Sequence, residues 1–408
     1  MIYYGVIDEI IEQNTYSFNI ISENDFSELR LKRARIWDPE SKILNYPSHY
    51  LTIKLPLLKT RVKNKNSDIL RKQEWFKLDL DFNTEGDVIF FDSILSTDFS
   101  NITLDLLEFI DGRTSFGREI HSIFSLNDLS DANENEIDEL FYKSTYHLKE
   151  HFLACYNVGQ GNCNAICDVN GVPHLYFDLG GGYQGNSSTY PNSIKLCNCV
   201  KPNIILSHWD GDHWMSSRKL QFFECSTWLV PRQKLTADAL KTANAINKKG
   251  RLLIWPIGLS EININFLKII KCTGKSKNDS GLGVYYSIDE ELTCLLPGDA
   301  SYSSIPGATT SQLNALVVTH HGGGGSQRAP RASKNHIGVF SYGINNSYRH
   351  PLIKSINDHR YKNWKNTFNS YNGHIAIGSR NTLNLITANS HMRSTSNCNT
   401  SFTWYQTF

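Results

Sequence analysis

The stretch LSHWDGDHW, residues 206–214, sets two histidines and two aspartates (His208, Asp210, Asp212 and His213) into six consecutive positions. The chain has only 14 histidines and 40 carboxylates in 408 residues. The stretch grows out of the apolar run NIILS, bounded upstream by Pro202, so a buried strand is expected to deliver all four side chains at its carboxyl end. Strand ends are where α/β proteins gather their chemistry. Asp-Gly-Asp alone is ordinary turn chemistry, and a single histidine is usually structural. Four ligand-type side chains in six residues are different, because crowded carboxylates repel one another and a cation relieves the repulsion.

Two further apolar runs end in the same way. LTCLLPGDA brings out Asp299, and ALVVTHHGGGG brings out His320 and His321 before four glycines. A carboxylate at the end of a buried strand is costly unless paired or bound to metal. FSYGINNSYRHP ends at His350, just before Pro351, whose fixed φ suits the first turn of a helix over PLIKSINDHRYKN; His350 is therefore expected at a helix N-terminus. Strands and helices alternate through LACYNVGQG, HLYFDLGGG, NIILSHWD, TWLVP, TADALKTANAINKKG, LGVYYSI, IGVFSYG and HIAIGS, which predicts an α/β domain over 151–408.

Residues 1–100 read differently. YYGVIDEII, TYSFNII, ELRLKRARIW, YLTIKLPLL, WFKLDLDF and DVIFFDSI are short strand-like runs between polar turns, predicting a β-rich domain of the small-barrel kind. NITLDLLEFIDG and NEIDELFYKSTYHLKEH predict a helical linker over 101–150. Forty-one Lys+Arg against 40 Asp+Glu give a net charge of +1, so bulk charge makes no case for a nucleic-acid or membrane partner. Locally, RLKRARIW (30–37) and KTRVKNKNSDILRK (59–72) concentrate basic residues near Trp37, Trp75 and Phe76. That face could track a nucleic-acid backbone, or simply be a solvated barrel surface. The N-terminus lacks the basic start and apolar run of a signal peptide, and no stretch approaches about 18 apolar residues, so a soluble cytoplasmic chain is expected. All nine cysteines follow residue 150, mostly in apolar runs, and read as free buried thiols. Cys197 and Cys199 have zinc-ligand chemistry, but no second pair follows at finger spacing, and they stay unassigned.

NVGQGN (157–162), YFDLGGG (176–182), SHWDGDHW (207–214), NDSGLGVYY (278–286), LPGD (296–299), THHGG (319–323) and GINNSYRHP (343–351), taken in order, resemble the motif series of the metallo-β-lactamase superfamily. More narrowly they resemble its branch containing the hydrolase domain of the ComEC-type DNA-uptake protein and the phosphorylcholine esterases, over residues 153–385. The resemblance implies an αββα sandwich, here preceded by the smaller β-rich domain and its helical connection. It implies two divalent metal ions, zinc by default, with manganese or iron admitted by the oxygen-rich first site. His208 and Asp210 would bind the first ion, Asp212 and His213 the second; Asp299 would bridge them and His350 complete the second site. Asp178 would steady the ligand loop. His320 and His321 would contact substrate or protonate the leaving group, one of them being an alternative ligand. Gly322 and Gly323 would bring backbone amides close to an anion.

The chain also departs from the pattern. Asp210 stands where the superfamily commonly has histidine, and no histidine lies between His213 and His320 to serve as the third of the first site. Asn157 and Asn162 replace aspartates, and Arg349 replaces a glycine and is a candidate phosphate contact. The activity implied is metal-dependent hydrolysis by a metal-bridging hydroxide, acting as a phosphodiesterase or nuclease on nucleic acid or a nucleotide. Alternatives are a lactone, thioester or phosphorylcholine esterase, and a metal-poor binding or assembly module. Soluble hydrolases of this branch with an unrelated N-terminal domain fit bacterial conflict and defence systems.

Overall fold

Short strands at the start of the chain curl until the sheet meets itself. β1 (Ile2–Ile11), β2 (Thr15–Ser22), β3 (His49–Lys54), β4 (Val62–Lys63), β5 (Trp75–Asp81), β6 (Val88–Phe91) and β7 (Ser100–Ile110) form a sheet in the order β4-β7-β5-β1-β2-β3-β6. Pairing of β6 with β7 closes six of them into a barrel. Phe18, Ile20, Leu51, Ile53, Phe76, Leu78, Val88 and Ile102 fill it. The computed structural model describes residues 1–379 apart from 12–13, 66–69, 97 and 290–291, together with Thr382 and the strand Phe402–Gln406. These fall into two units, Met1–Leu129 with Lys234–Lys248, and Ser130–Gln233 with Lys249–Phe408.

Two elements of the first unit differ from expectation. Residues 101–110 are strand β7, not helix. A bulge leaves Asp105 without a partner between the pairs Leu80–Leu104 and Asp79–Leu106, and this changes the phase of the alternation. The buried residues thus fall at Ile102, Leu104, Leu107 and Ile110, a spacing that mimics a helix. Conversely, ELRLKRARIW holds no strand. A helix spans Glu23–Leu31, because Ser22 accepts a hydrogen bond from Asp25 N (3.1 Å) and caps it while Phe26 and Leu29 bury one face. The remaining basic residues form the turn Arg33–Arg35. The predicted helix downstream is present at Glu134–Thr145, started by an Asn133/Glu136 capping box.

Lys234–Lys248, which the α/β pattern groups with the later strands, packs in the first unit instead. The helix Ala237–Lys249 is tied there by its polar N-terminus. Asn19 Oδ1 accepts from Ala237 N (2.9 Å), Asn19 Nδ2 donates to Asp238 Oδ2 (2.7 Å), and the Tyr46 hydroxyl donates to Ala237 O (2.7 Å).

The second unit is built on two sheets. β8 (His151–Cys155), β9 (Cys163–Asp168), β10 (Pro173–Leu179), β11 (Asn203–Ile205), β12 (Thr227–Val230) and β13 (Arg251–Ile254) belong to the first. β14 (Glu261–Ile264), β15 (Leu267–Lys271), β16 (Leu282–Ser287), β17 (Thr293–Leu296), β18 (Gln312–Val317), β19 (Arg331–Phe340) and β20 (Thr367–Asn369) make the second, in that order. β21 (His374–Gly378) and β22 (Phe402–Gln406) extend the first, whose order is β13-β12-β11-β10-β9-β8-β21-β22. One apolar core joins Phe177, Ile205 and Leu229 of the first sheet to Val284, Leu296, Val317 and Val339 of the second, so the fold is mixed α/β. β9, β13, β14, β15, β20 and β22 are strands the sequence reading did not single out. β10 to β13 run parallel, as do β17 to β20, and the loops leaving their carboxyl ends carry the site. Cys155, Cys163, Cys167, Cys272 and Cys294 are buried free thiols. Among the described residues no helix is long and apolar enough to cross a membrane.

Candidate metal centre

The ligand loop leaves β11 and is held by one buried carboxylate. Asp178 sits in a β10 bulge at φ +64°. Its Oδ1 accepts from Ser207 N (2.7 Å); its Oδ2 accepts from Ser207 Oγ (2.9 Å) and Asn162 Nδ2 (3.0 Å) and lies 2.8 Å from His213 Nδ1. A carboxylate can only accept from that imidazole, so His213 carries its proton on Nδ1 and turns Nε2 into the site. Asn162 suits this place: its amide donates to Asp178, where an aspartate would repel it. Close backbone packing completes the support. A Cβ on Gly180 would come within 1.6 Å of Asp212 O, and Gly181 N and Asn162 N both donate to that carbonyl (3.1 Å each).

Two triads of ligand atoms result, His208/His213/Asp299 and Asp212/His213/His321, each with all its atoms within 4.8 Å of one another. His213 Nε2 lies 3.1 Å from Asp299 Oδ1 and 3.7 Å from Asp212 Oδ1. His321 Nε2 lies 3.2 Å from Asp212 Oδ2 and 3.5 Å from Asp299 Oδ1. The Nε2 atoms of His208, His213 and His321 and Oδ1 of Asp299 are all buried, and none makes a hydrogen bond among the described residues. Polar atoms in such a place require partners. These residues therefore fit a divalent cation: imidazole nitrogens and carboxylate oxygens converge on one buried volume with nothing else to satisfy them.

Electrostatics tell the same story. Burial opposes charge on Asp299, yet His213, His320 and His321 hold it well below the usual carboxylate range. Burial likewise opposes protonation of His213, but Asp299, Asp178 and Asp212 raise it well above the ordinary imidazole value. Without a cation, protons are drawn into its place.

The structure separates the paired histidines, which occupy successive left-handed positions at φ +51° and +55°. His321 points inward: its Nδ1–H donates to Ser341 O (2.9 Å), and its Nε2 joins the triad. His320 stays at the rim, 31% exposed, with Nε2 3.5 Å from Asp299 Oδ2. His350 belongs to neither triad. Its ring packs edge-on against His320 (centroids 5.5 Å apart), and Gln160 Nε2 lies 3.3 Å from its Nδ1. Burial, followed by the neighbouring His320 and His321, pushes His350 down to about 3. The helix expected from Pro351 begins only at Ile353, because Leu352 is extended and its N–H donates to Gly322 O (2.8 Å).

Asp210 also lies outside both triads, with Oδ1 2.7 Å from Lys277 Nζ. Sequence reasoning passed over Lys277, although it directly precedes the motif NDSGLGVYY, in the interval that lacks a histidine. Arg349 is exposed on the loop leading to His350. A Cβ on Gly322 would strike Pro351 and Phe340, and one on Gly323 would strike the His350 ring, so side chains crowd both glycines. Trp209 and Trp214 are fully buried, their indole N–H groups donating to Pro231 O and Trp209 O; they brace the loop and offer no stacking face.

No family model matches the sequence, and no curated protein matches it. Among solved structures the chain is similar to one described as a new diphosphatase from the PhnP family, at 12% identity over 54% of this chain and 86% of that one, with a TM-score of 0.28.

Proposed function

We propose that the second unit is a metal-dependent hydrolase of αββα metallo-β-lactamase architecture whose substrate is a phosphoester, with the phosphodiester of a nucleic acid or nucleotide as the first choice. The observation that carries the reading is the set of buried Nε2 and carboxylate atoms on His208, His213, His321 and Asp299 that crowd together without a hydrogen bond among the described residues. A divalent ion held there supplies Lewis acidity towards a phosphoryl oxygen and towards water.

The chain's own groups divide the remaining work. Asp178 and Ser341 fix the tautomers of His213 and His321, so both present lone pairs rather than protons. His320, half-buried at the rim and close to Asp299, would hand a proton to a leaving oxygen. Arg349 is the proposed phosphate contact, since a guanidinium pairs with two phosphate oxygens at once. Nucleic acid, as a partner of the first unit, would be held by charge along the exposed run Arg30–Arg35; Phe76 is buried inside the barrel and Trp75 is buried against Phe124 on its outer face, so neither supplies stacking.

The test is hydrolysis of bis(p-nitrophenyl) phosphate by metal-stripped protein resupplied with zinc or manganese, beside Asp212→Ala. Lewis-acid stabilisation of several kcal/mol, at 1.36 kcal/mol per factor of ten, predicts that the variant folds but loses turnover by about a thousandfold. Undiminished turnover in Asp212→Ala would remove that residue from the centre. Absence of turnover with either metal would reject the phosphodiester and leave carboxylic esters and lactones as the substrates to try.

A further inference from the structure

Lys277 is a buried lysine whose ammonium lies 2.7 Å from Asp210 Oδ1, and Asp210 Oδ2 in turn lies 3.4 Å from His208 Nε2. The contact is built into the fold. Gln233 Nε2 donates to Lys277 O (2.6 Å) and to Ser280 Oγ (3.0 Å), while Gln233 Oε1 accepts from Trp209 N (3.1 Å) inside the ligand loop. One glutamine therefore straps the Lys277 turn to the residues flanking His208 and Asp210. The next segment is equally close: Leu282 N donates to Ser207 O (2.8 Å), and a Cβ on Gly281 would come within 2.2 Å of that oxygen.

We infer that this centre holds one divalent ion, and that the Lys277 ammonium stands where a second would sit, with Asp210 its counter-ion and not a metal ligand. The inference rests on the metal-centre reading above and adds its stoichiometry. Three observations converge on it. Both triads require His213, whose Nδ1 is engaged by Asp178, so a single nitrogen serves both and they are alternatives. A second ion beside His208 would place two positive charges one carboxylate away from a buried ammonium. Finally, Asp210, the other carboxylate beside His208, is already engaged by the Lys277 ammonium. Lysine is a hydrated point charge, and burying it is costly without the anion it meets here.

The experiment uses full-length protein stripped with chelator, reloaded with manganese, freed of excess and analysed for metal per chain, with the electron paramagnetic resonance spectrum recorded on the same sample. Wild type is expected to carry one Mn(II) per chain with the spectrum of an isolated ion. Lys277→His, which supplies an imidazole in place of the ammonium, is expected to carry two, with the broadened spectrum of a coupled pair. Two ions in wild type would overturn the inference while leaving the metal-centre reading standing; no ion at all would overturn that reading itself. One ion in both proteins would remove Lys277 as the excluding group. Should Lys277→His fail to fold, the wild-type count and spectrum decide the stoichiometry on their own.

Discussion

Asp238 in the first unit and Asp299 in the second are both buried aspartates, 2% and 5% exposed, yet they live under opposite conditions. Asp238 is provided for: Asn19 Nδ2 donates to its Oδ2, Ser48 Oγ donates to its Oδ1, and it lies in the first turn of a helix, where the N-terminal dipole favours negative charge. Asp299 has four imidazoles around it, those of His208, His213, His320 and His321, and an Oδ1 with no hydrogen bond among the described residues. Burial alone therefore does not mark a working carboxylate. The mark is a set of ligand-type atoms that crowd together without satisfying one another, since a fold settles its structural charges with donors and leaves open those meant for a cation.

The largest effect on this contrast belongs to Asn19→Ala. It removes a hydrogen bond to a charged group and the acceptor that caps Ala237, a combined loss of about 3 kcal/mol. Denaturant unfolding of the first unit, followed with and without added divalent ion, should show the same loss in both. A loss that metal repairs would place Asp238 among the responsive groups and break the comparison.

Next comes Asp178→Asn, which keeps the shape of the support but removes the charge facing His213 Nδ1. Outer partners of metal ligands typically contribute 10- to 100-fold in affinity, so a drop of about that size is expected in a metal titration, beside a loss of about 1–3 kcal/mol in the stripped protein from the buried donors left unpaired. Unchanged affinity would mean that Ser207 and the backbone hold the loop without the carboxylate.

How much of this could be read from the chain follows from where the information lies. His208, Asp212, His213, Asp299 and His321 were legible because each stands in a short motif at the end of an apolar strand, and that pattern is local. Lys277 was not, because a lysine before a polar turn has no distinguishing pattern; its meaning comes from the Gln233 strap, 44 residues away in sequence. The inward role of His321 depends on the carbonyl of Ser341, 20 residues on, which fixes its tautomer. In the first unit, β7 read as helix because the bulge at Asp105 moved its buried residues to a spacing of three, and the helix at Glu23–Leu31 was missed because its cap, Ser22, sits in the preceding strand. Bulges and caps override periodicity with a single residue.

The smallest predicted effect is also the one that tests whether protons stand in for the cation at Asp299. In metal-free protein His213 titrates above its ordinary value: burial opposes its charge, and Asp299, Asp178 and Asp212 more than offset that. A group with a raised folded-state value contributes stability that is fully present below the unfolded value of about 6.5, and loses it as pH rises through the folded value. Metal-free protein should therefore weaken from about pH 6.5 upward. With the ion bound, His213 is a neutral ligand and no proton is lost over that range; affinity itself rises, since fewer protons must be displaced. The gap between the thermal midpoints of loaded and stripped protein should widen towards pH 9, at roughly 2–4 °C for each kcal/mol in a unit of this size. A gap that stays constant would show that His213 carries no extra proton without metal. The repulsion among Asp178, Asp212 and Asp299 would then have to be relieved by movement of the loop, and Asp299 would be no more open to a cation than Asp238 is.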